Sequence, residues 1–295
     1  MPSTRDIRRR IKSVKNTSQI TRAMQMVAAA KMRRAQDAAL SGRPYTELMN
    51  RMLADLSAAT SEESRPALMQ EREGGKRAVI LVSTDKGLCG ALNTNLLREA
   101  AKLDVDNNRF VCAGRKGSQF VARTKRDLAA EFEYADTPLF SDARAISKYA
   151  QEIFLKGEVN GVDILFTNFI STIRQEPTLK PLLPVVKIEA LSASLVDDEA
   201  EDTELHPSAL DFEFEPSAAS VLEDLLPHYV TYQLFQSLME CKASEHSARM
   251  VAMKNATDNA KQLIKDLTLD YNKLRQANIT NELLEITTAS MAVGA

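Results

Sequence analysis

Apolar residues recur at spacings of three and four near both ends of the chain, and in the middle they run together in short blocks. Alternating spacings of three and four from Leu222 give Leu222, Leu225, Tyr229, Tyr232, Gln236, Met239, Ala243, His246, Met250, Met253, Thr257, Ala260, Ile264, Leu267, Tyr271 and Leu274; thirteen of these sixteen positions are apolar or tyrosine. A stripe with that period is a coiled-coil seam. Ser217 is placed as an N-cap, and Pro227 predicts an early kink or the helix's true start. At about 1.5 Å per residue, a helix from Pro227 to Ile286 is about 90 Å long and needs a partner along its stripe.

The N-terminal segment supplies that partner. Ser3 and Asp6 have the spacing of a capping box. Ile7, Ile11 and Val14 lie on one stripe, and Ile20, Met24 and Val27 follow after a phase shift. Ala28, Ala29, Ala30, Met32, Ala35, Ala38 and Ala39 then favour helix and close approach of a neighbour. Gly42 and Pro44 predict a kink, Tyr45 to Leu56 resumes the helix, and it ends near Ser61. The middle of the chain lies between the two helices, so they can be antiparallel neighbours.

That middle reads as α/β. Ala78-Val79-Ile80-Leu81-Val82 is a wholly apolar run, as in a strand buried on both faces. Gly87 and Gly90 precede a helix from Ala91 to Leu103. Arg109 to Ala113 is a second strand, followed by a helix from about Lys116. Asp142 to Leu155 is a helix, Gly161 to Thr167 a strand, and Leu182 to Ile188 another, whose Pro184 argues for an edge. Alternating strands and helices imply a mostly parallel sheet. The expected organisation is an N-terminal coiled-coil helix (1–61), a Rossmann-like α/β domain (74–190), an acidic linker (191–216) and a C-terminal coiled-coil helix (217–295).

Composition sharpens this picture. Eight of the ten glycines lie between Gly74 and Gly161, so the flanks avoid the residue that loosens helices. The net charge of −2 hides a segregation: Met1 to Ala35 holds ten Lys/Arg and one acid, and Glu189 to Asp224 holds twelve acids and no Lys/Arg. No run approaches the length of a membrane-spanning helix. The N-terminus has no secretory signal core and reads as a structural helix rather than a transit peptide. Cys89, Cys112 and Cys241 are odd in number and far apart, which points to a reducing compartment and away from disulfides or zinc. His206, His228 and His246 are too scattered for a metal site.

Two features invite chemistry. Thr84 to Gly90 joins a strand to a helix, where phosphate loops sit, but it matches neither common phosphate-binding pattern. The plainer reading is a tight turn, with Asp85 and Lys86 as a docking surface. The basic N-terminal helix lacks the interleaved aromatics of a nucleic-acid binder, and a protein with an acidic surface fits it as well.

Three stretches together resemble the gamma-subunit family of F-type ATP synthase. They are Ile20-Thr21-Arg22-Ala23-Met24-Gln25-Met26-Val27-Ala28-Ala29-Ala30-Lys31-Met32; Asp85-Lys86-Gly87-Leu88-Cys89-Gly90-Ala91-Leu92-Asn93, where the family more often has Arg for Lys86; and Ser244-Glu245 through Arg249 to Asn259-Ala260, ending in Ile279-Thr280-Asn281-Glu282-Leu283-Leu284-Glu285-Ile286. Ala289-Ser290 stand where the family usually has Gly-Ala, which leaves this end more helix-prone. The resemblance implies an antiparallel coiled coil of the terminal helices on an α/β base, and a rotor shaft with no catalytic residue, cofactor or metal. Its implied partners are the alpha and beta subunits of the catalytic hexamer, the epsilon subunit and the membrane c-subunit ring. The delta subunit is met only within the complex, and nucleic acid is not a partner. It places the chain at the cytoplasmic face of a bacterial inner membrane. By position, Arg249, Gln276, Thr280 and Glu282 meet a loop of beta, and Met24 and Lys31 face beta's acidic lever. Leu283, Leu284, Ile286, Met291 and Val293 enter a hydrophobic sleeve, and Asp85 and Lys86 belong to the base. From a different class, a stand-alone nucleotide-binding α/β protein with coiled-coil arms, or a nucleic-acid-binding coiled coil, remains the alternative.

Overall fold

The computed structural model describes residues 3–60, 65–72, 74–185, 215 and 217–293. Its elements in chain order are α1 (Thr4–Ala59), a 3-10 turn (Ala67–Met69), β1 (Arg77–Val82), α2 (Leu92–Lys102), β2 (Asn108–Ala113), α3 (Arg115–Arg123), β3 (Asp127–Phe132), α4 (Phe140–Leu155), β4 (Gly161–Phe169), β5 (Gln175–Leu183) and α5 (Ala218–Val293). They form two compact units, Met1–Val27 with Met250–Ala295, and Ala28–Arg249. The units divide α1 and α5 along their length rather than at their ends. The acidic 191–216 stretch, apart from Glu215, lies outside the described residues.

The larger unit is built on a five-stranded sheet of order β3-β2-β1-β4-β5. β1 pairs in parallel with β2 and β4, with Ile80 opposite both Val111 and Ile164. The apolar run of β1 serves two faces because side chains alternate across a strand. Ala78, Ile80 and Val82 join Met49, Leu53 and Leu56 of α1, Ile146 and Phe154 of α4, and Leu226, Val230 and Leu234 of α5. Val79 and Leu81 join Leu96 of α2, Phe110 and Cys112 of β2, Val121 of α3 and Leu165 of β4. This burial on both faces is what an uninterrupted apolar strand requires.

Four elements differ from the sequence-based expectation. β3 was not foreseen: Asp127-Leu128-Ala129-Ala130-Glu131-Phe132 is an edge strand with no fully buried residue, so it needs little apolar content. β5 lies earlier than expected, at Gln175–Leu183, and ends just before Pro184. It is antiparallel to β4, with Phe166 opposite Thr178. Pro177 and Pro181 sit within it, which an edge strand tolerates; Val186, Lys187 and Ile188 of the expected strand lie outside the described residues. Finally, α1 is continuous through Gly42 and Pro44, and α5 begins before Pro227 and continues through it.

In the smaller unit, the N-terminal part of α1 and the C-terminal part of α5 pair as antiparallel helices. The capping box forms: the Ser3 hydroxyl accepts from the Asp6 amide at 3.2 Å and donates to the Asp6 carboxylate at 2.8 Å. On α5, Met253, Thr257 and Ala260 are buried, and Ile264, Leu267, Tyr271 and Leu274 are half-buried among exposed neighbours. This is the predicted seam. On α1 the covered positions are Thr4, Ile7, Ile11, Val14, Ser18, Thr21 and the Met24–Gln25 pair. The expected phase shift to Ile20 and Val27 is therefore corrected: both point outward, 60% and 55% exposed.

Gly114 tests the sheet's tolerance. Its φ is +100°, and a Cβ there would lie 2.2 Å from the Ser83 carbonyl oxygen. Gly114→Ala is expected to lower stability by about 2–4 kcal/mol, measured by urea unfolding of the full chain.

Candidate partner-binding surfaces

The β1–α2 loop of the larger unit is held by its own side chains. The Thr84 hydroxyl donates to the Lys86 carbonyl at 2.8 Å and accepts from Asn93 Nδ2 at 2.7 Å. Asp85 is half-buried, and its carboxylate accepts the Arg115 amide at 3.0 Å, at the first residue of α3. A carboxylate suits a helix N-terminus, so this donor is already taken where a phosphate would need it. Lys86 and Gly87 are exposed, and Leu88 displays its side chain from the left-handed region at φ +63°. Cys89 is buried beneath the loop, and burial pushes its thiol up. Burial also pushes the thiols of Cys112 and Cys241 up to about 12, so none is poised as a nucleophile.

Arg249 closes this loop onto α5. Its guanidinium donates to the Gly87 carbonyl at 3.2 Å and to the Glu245 carboxylate at 2.7 Å. Glu245 in turn pairs with Lys242 at 3.1 Å, with both side chains only 4% exposed. Such a pair costs desolvation and persists only with good partners. Arg249 thus acts as an internal clasp in this structure.

Beside it lies a cleft of about 170 Å³, lined by Lys31, Arg34, Asp136, Met239, Lys242 and His246 among others. Lys31 donates to Asp136. Burial pushes the Asp136 carboxyl up, but the Lys31 hydrogen bond and the charges of Lys31, His246 and Lys242 outweigh it and hold the group below the usual range. His246 Nε2 is 3.9 Å from Asp136, and its buried Nδ1 has no hydrogen-bond partner among the described residues. Burial, the largest influence, pushes the imidazole pKa down; Glu245 and Asp136 oppose this, and Arg249 and Lys242 reinforce it.

In the smaller unit, two contacts set the register of the helix pair. The Thr21 and Thr257 hydroxyl oxygens are 2.7 Å apart, and the Arg8 guanidinium donates to the Tyr271 hydroxyl. This register puts the start of α1 opposite about Leu274. Residues 275–290 of α5 are exposed throughout, with no partner helix among the described residues. Along this single helix, Gln276 and Thr280 share a face, and Glu282 projects from nearly the opposite side. Ile279, Leu283 and Ile286 form an apolar stripe at 48–66% exposure, and Leu284 stands apart from it. The side chains of Met291 and Val293 lie outside the described residues.

The sequence pattern that defines the ATP synthase family, described as "ATP synthase", matches residues 3–293. The ATP synthase gamma chain of Opitutus terrae is 47% identical over 293 residues, covering 99% of both chains. That of Akkermansia muciniphila is 44% identical over 294 residues, covering 99% of this chain and 100% of its own. The chain belongs to the ATP synthase gamma-chain family. A subunit from the Euglena gracilis mitochondrial ATP synthase (OSCP/F1/c-ring) shares the fold, with TM-score 0.66 and 20% identity over 98% of this chain and 94% of its own. A chain of the Tetrahymena thermophila central stalk/c-ring structure gives TM-score 0.58 and 22% identity over 80% of this chain and 99% of its own.

For a gamma-family chain, the predicted site residues fall into separate groups. Arg249, Lys31, Asp85 and Lys86 are in the larger unit; Met24, Gln276, Thr280, Glu282, Leu283, Leu284 and Ile286 are in the smaller. Gln276 and Thr280 come together, and the Thr280 hydroxyl donates to the Gln276 carbonyl at 2.9 Å. Arg249 does not join them, and Met24 is half-buried in the helix pair. Asp85, expected in the docking surface, is half-buried, and its carboxylate accepts the Arg115 amide. Sequence reasoning set His246 aside because it looked for metal clusters, and no such cluster exists among the described residues. What distinguishes His246 is its neighbours: a histidine one residue after a glutamate, four after a lysine and three before an arginine is a signal readable in sequence.

The lowered His246 pKa carries a pH signature. Folding favours the neutral imidazole, so its contribution to stability is complete above the ordinary value of 6.5 and is lost as pH falls below it. His246→Gln is expected to flatten the decline of melting temperature between about pH 7 and pH 5, read by thermal unfolding across that range.

Proposed function

We propose that this chain is the central rotor shaft of an F-type ATP synthase. It couples proton-driven rotation of a membrane ring to conformational cycling of the catalytic beta subunits, in synthesis or in reverse. The carrying observation is an antiparallel helix pair whose C-terminal helix continues alone, exposed and amphipathic, in a chain 47% identical to a named gamma chain. An exposed apolar stripe on a single helix calls for a surrounding protein surface. The uncovered end enters the catalytic hexamer of alpha and beta, with Leu283, Leu284, Ile286, Met291 and Val293 in a hydrophobic sleeve. Gln276, Thr280 and Glu282 give directional contacts to a loop of beta. The basic α1 around Met24 and Lys31 faces the acidic lever of beta. The α/β base, with Lys86 at its β1–α2 loop, meets the epsilon subunit and the c-subunit ring, and delta is met only through the complex.

The chain itself performs no chemistry. Its asymmetry presents a different face to each beta subunit, and that difference in contact free energy selects each site's state. No described helix is long and apolar enough to cross a membrane, and attachment at the cytoplasmic face of a bacterial inner membrane comes through the complex. Arg249 supports the same function from within, by holding the β1–α2 loop against α5.

In a complex reconstituted from this chain and its hexamer, Gln276→Ala with Glu282→Ala is expected to lower ATPase turnover about tenfold, the equivalent of roughly 1.4 kcal/mol of lost hydrogen bonding. Circular dichroism of the free chain is expected not to change. Unaltered turnover removes these residues from the beta contact. Calorimetry of the full chain with Mg-ATP is expected to show no binding; micromolar affinity would favour a stand-alone nucleotide-binding protein instead.

A further inference from the structure

Past Val14 the sequence offers α1 two phases. One continues the spacing of Ile7, Ile11 and Val14 and turns Ser18 and Thr21 inward. The other is rotated by one residue, about 100°, and turns Ile20, Met24 and Val27 inward. Apolar burial alone favours the second. The structure adopts the first: Thr21 is 8% exposed, whereas Ile20, Met26 and Val27 are 60%, 67% and 55% exposed. Something other than hydrophobicity holds the phase.

The candidate is the buried hydrogen-bonded layer in this seam. Thr21 and Thr257, the latter 3% exposed, stand 2.7 Å apart through their hydroxyls. Thr257 also donates to the Met253 carbonyl at 2.8 Å. A hydroxyl has a single proton, so the shortest consistent arrangement is a directed chain: Thr21 donates to Thr257, and Thr257 donates to Met253. Both buried oxygens are then partnered. A one-residue turn of α1 takes Thr21 away from Thr257. A slip of one heptad sets Thr21 opposite Ile264 or Met250, neither of which offers a hydroxyl. Thr21 would keep only the Ser18 carbonyl of its own helix, at 3.1 Å.

We propose that the Thr21–Thr257 pair is a phase and register lock of the coiled coil. A single polar layer in an apolar seam can fix alignment at a cost in stability. Here it also decides which residues the coil shows to its surroundings. While the layer is intact, Ile20, Met26 and Val27 stay on the outer surface, available to a partner protein. The Arg8–Tyr271 contact gives a second fixed point near the helix start.

Site-directed labelling of the full chain tests the lock. The three native cysteines are buried, so an added thiol dominates the reaction with a maleimide. In the parent, Thr17→Cys, at an exposed position, is expected to label faster than Ser18→Cys, at a half-buried one. With Thr21→Val and Thr257→Val added, which keep the volume of the layer, the ratio of these rates is expected to fall at least fivefold and to invert as α1 turns. Thr21→Ser with Thr257→Ser keeps the hydroxyls and is expected to restore the parent ratio. An unchanged ratio in the valine variant overturns the proposal. So does a parallel rise of both rates, the signature of fraying. Should the double variant lose helix content, Thr21→Val alone, which leaves Thr257 bonded to Met253, carries the same expectation and the same overturning results. The readout is taken on the free chain and is independent of the rotor reading.

Discussion

A 76-residue helix with apolar positions recurring along its length must have them covered, and the structure follows from how α5 meets this demand in successive segments. From Leu222 to Cys241 its residues enter the core beneath the sheet, against α1 and α4. Between about 237 and 247 every residue is buried, so no polar face remains. From Met250 to Leu274 only the seam is covered, by α1. Beyond Leu274 none of the described residues covers it. Each step removes one source of burial, and the sequence tracks the change: all-round packing residues, then a strict seam, then a narrow apolar stripe among polar neighbours.

The fully buried segment has to admit charge. Lys242, Glu245 and His246 are all within it, and Arg249 borders it. Apolar residues of similar size would carry no desolvation cost there. What the charged set adds is direction. Lys242 to Glu245 to Arg249 to the Gly87 carbonyl is an unbroken chain of contacts from α5 to the β1–α2 loop. Through Asp136 and Lys31 the same cluster reaches the β3–α4 loop and α1. Packing alone would permit small sliding of these elements; paired charges at fixed distances do not. For a subunit that carries torque through α5, a clasp of this kind is a reason to keep ions inside.

Where apolar periodicity decides structure, it is legible from the residues. The run Ala78–Val82 and the seam from Met250 to Leu274 lie where their spacing puts them, because burial dominates their energetics. Where a polar contact outweighs burial, the pattern misleads. Ile20 and Val27 look like seam residues, and only the Thr257 hydroxyl on the opposite helix, 236 residues away in sequence, turns Thr21 inward instead. β3 escapes notice for a related reason: an edge strand is stabilised by backbone pairing to β2 and needs no distinctive side chains. The candidate surfaces divide in the same way. The exposed stripe of α5 could be read from residues one turn apart, but Asp85 could not, since its bond to Arg115 depends on where β2 delivers α3.

The end of α5 poses a final constraint. A helix of about sixteen residues, Arg275 to Ser290, with no packing partner among the described residues is marginal in water, since nucleation is costly and each residue adds little. This segment does not rely on intrinsic propensity either: Thr280, Thr287 and Thr288 are β-branched and return their hydroxyls to carbonyls one turn back, an arrangement that adds little helix stability. What favours helix here is the lack of glycine between Gly161 and Gly294, together with continuity from a helix already nucleated by the seam. The propagating end therefore depends on the coil beneath it for initiation, while Ile279, Leu283 and Ile286 stay exposed along it. A shaft tip built this way is stiffest when it is enclosed, which is the condition under which it would have to bear load.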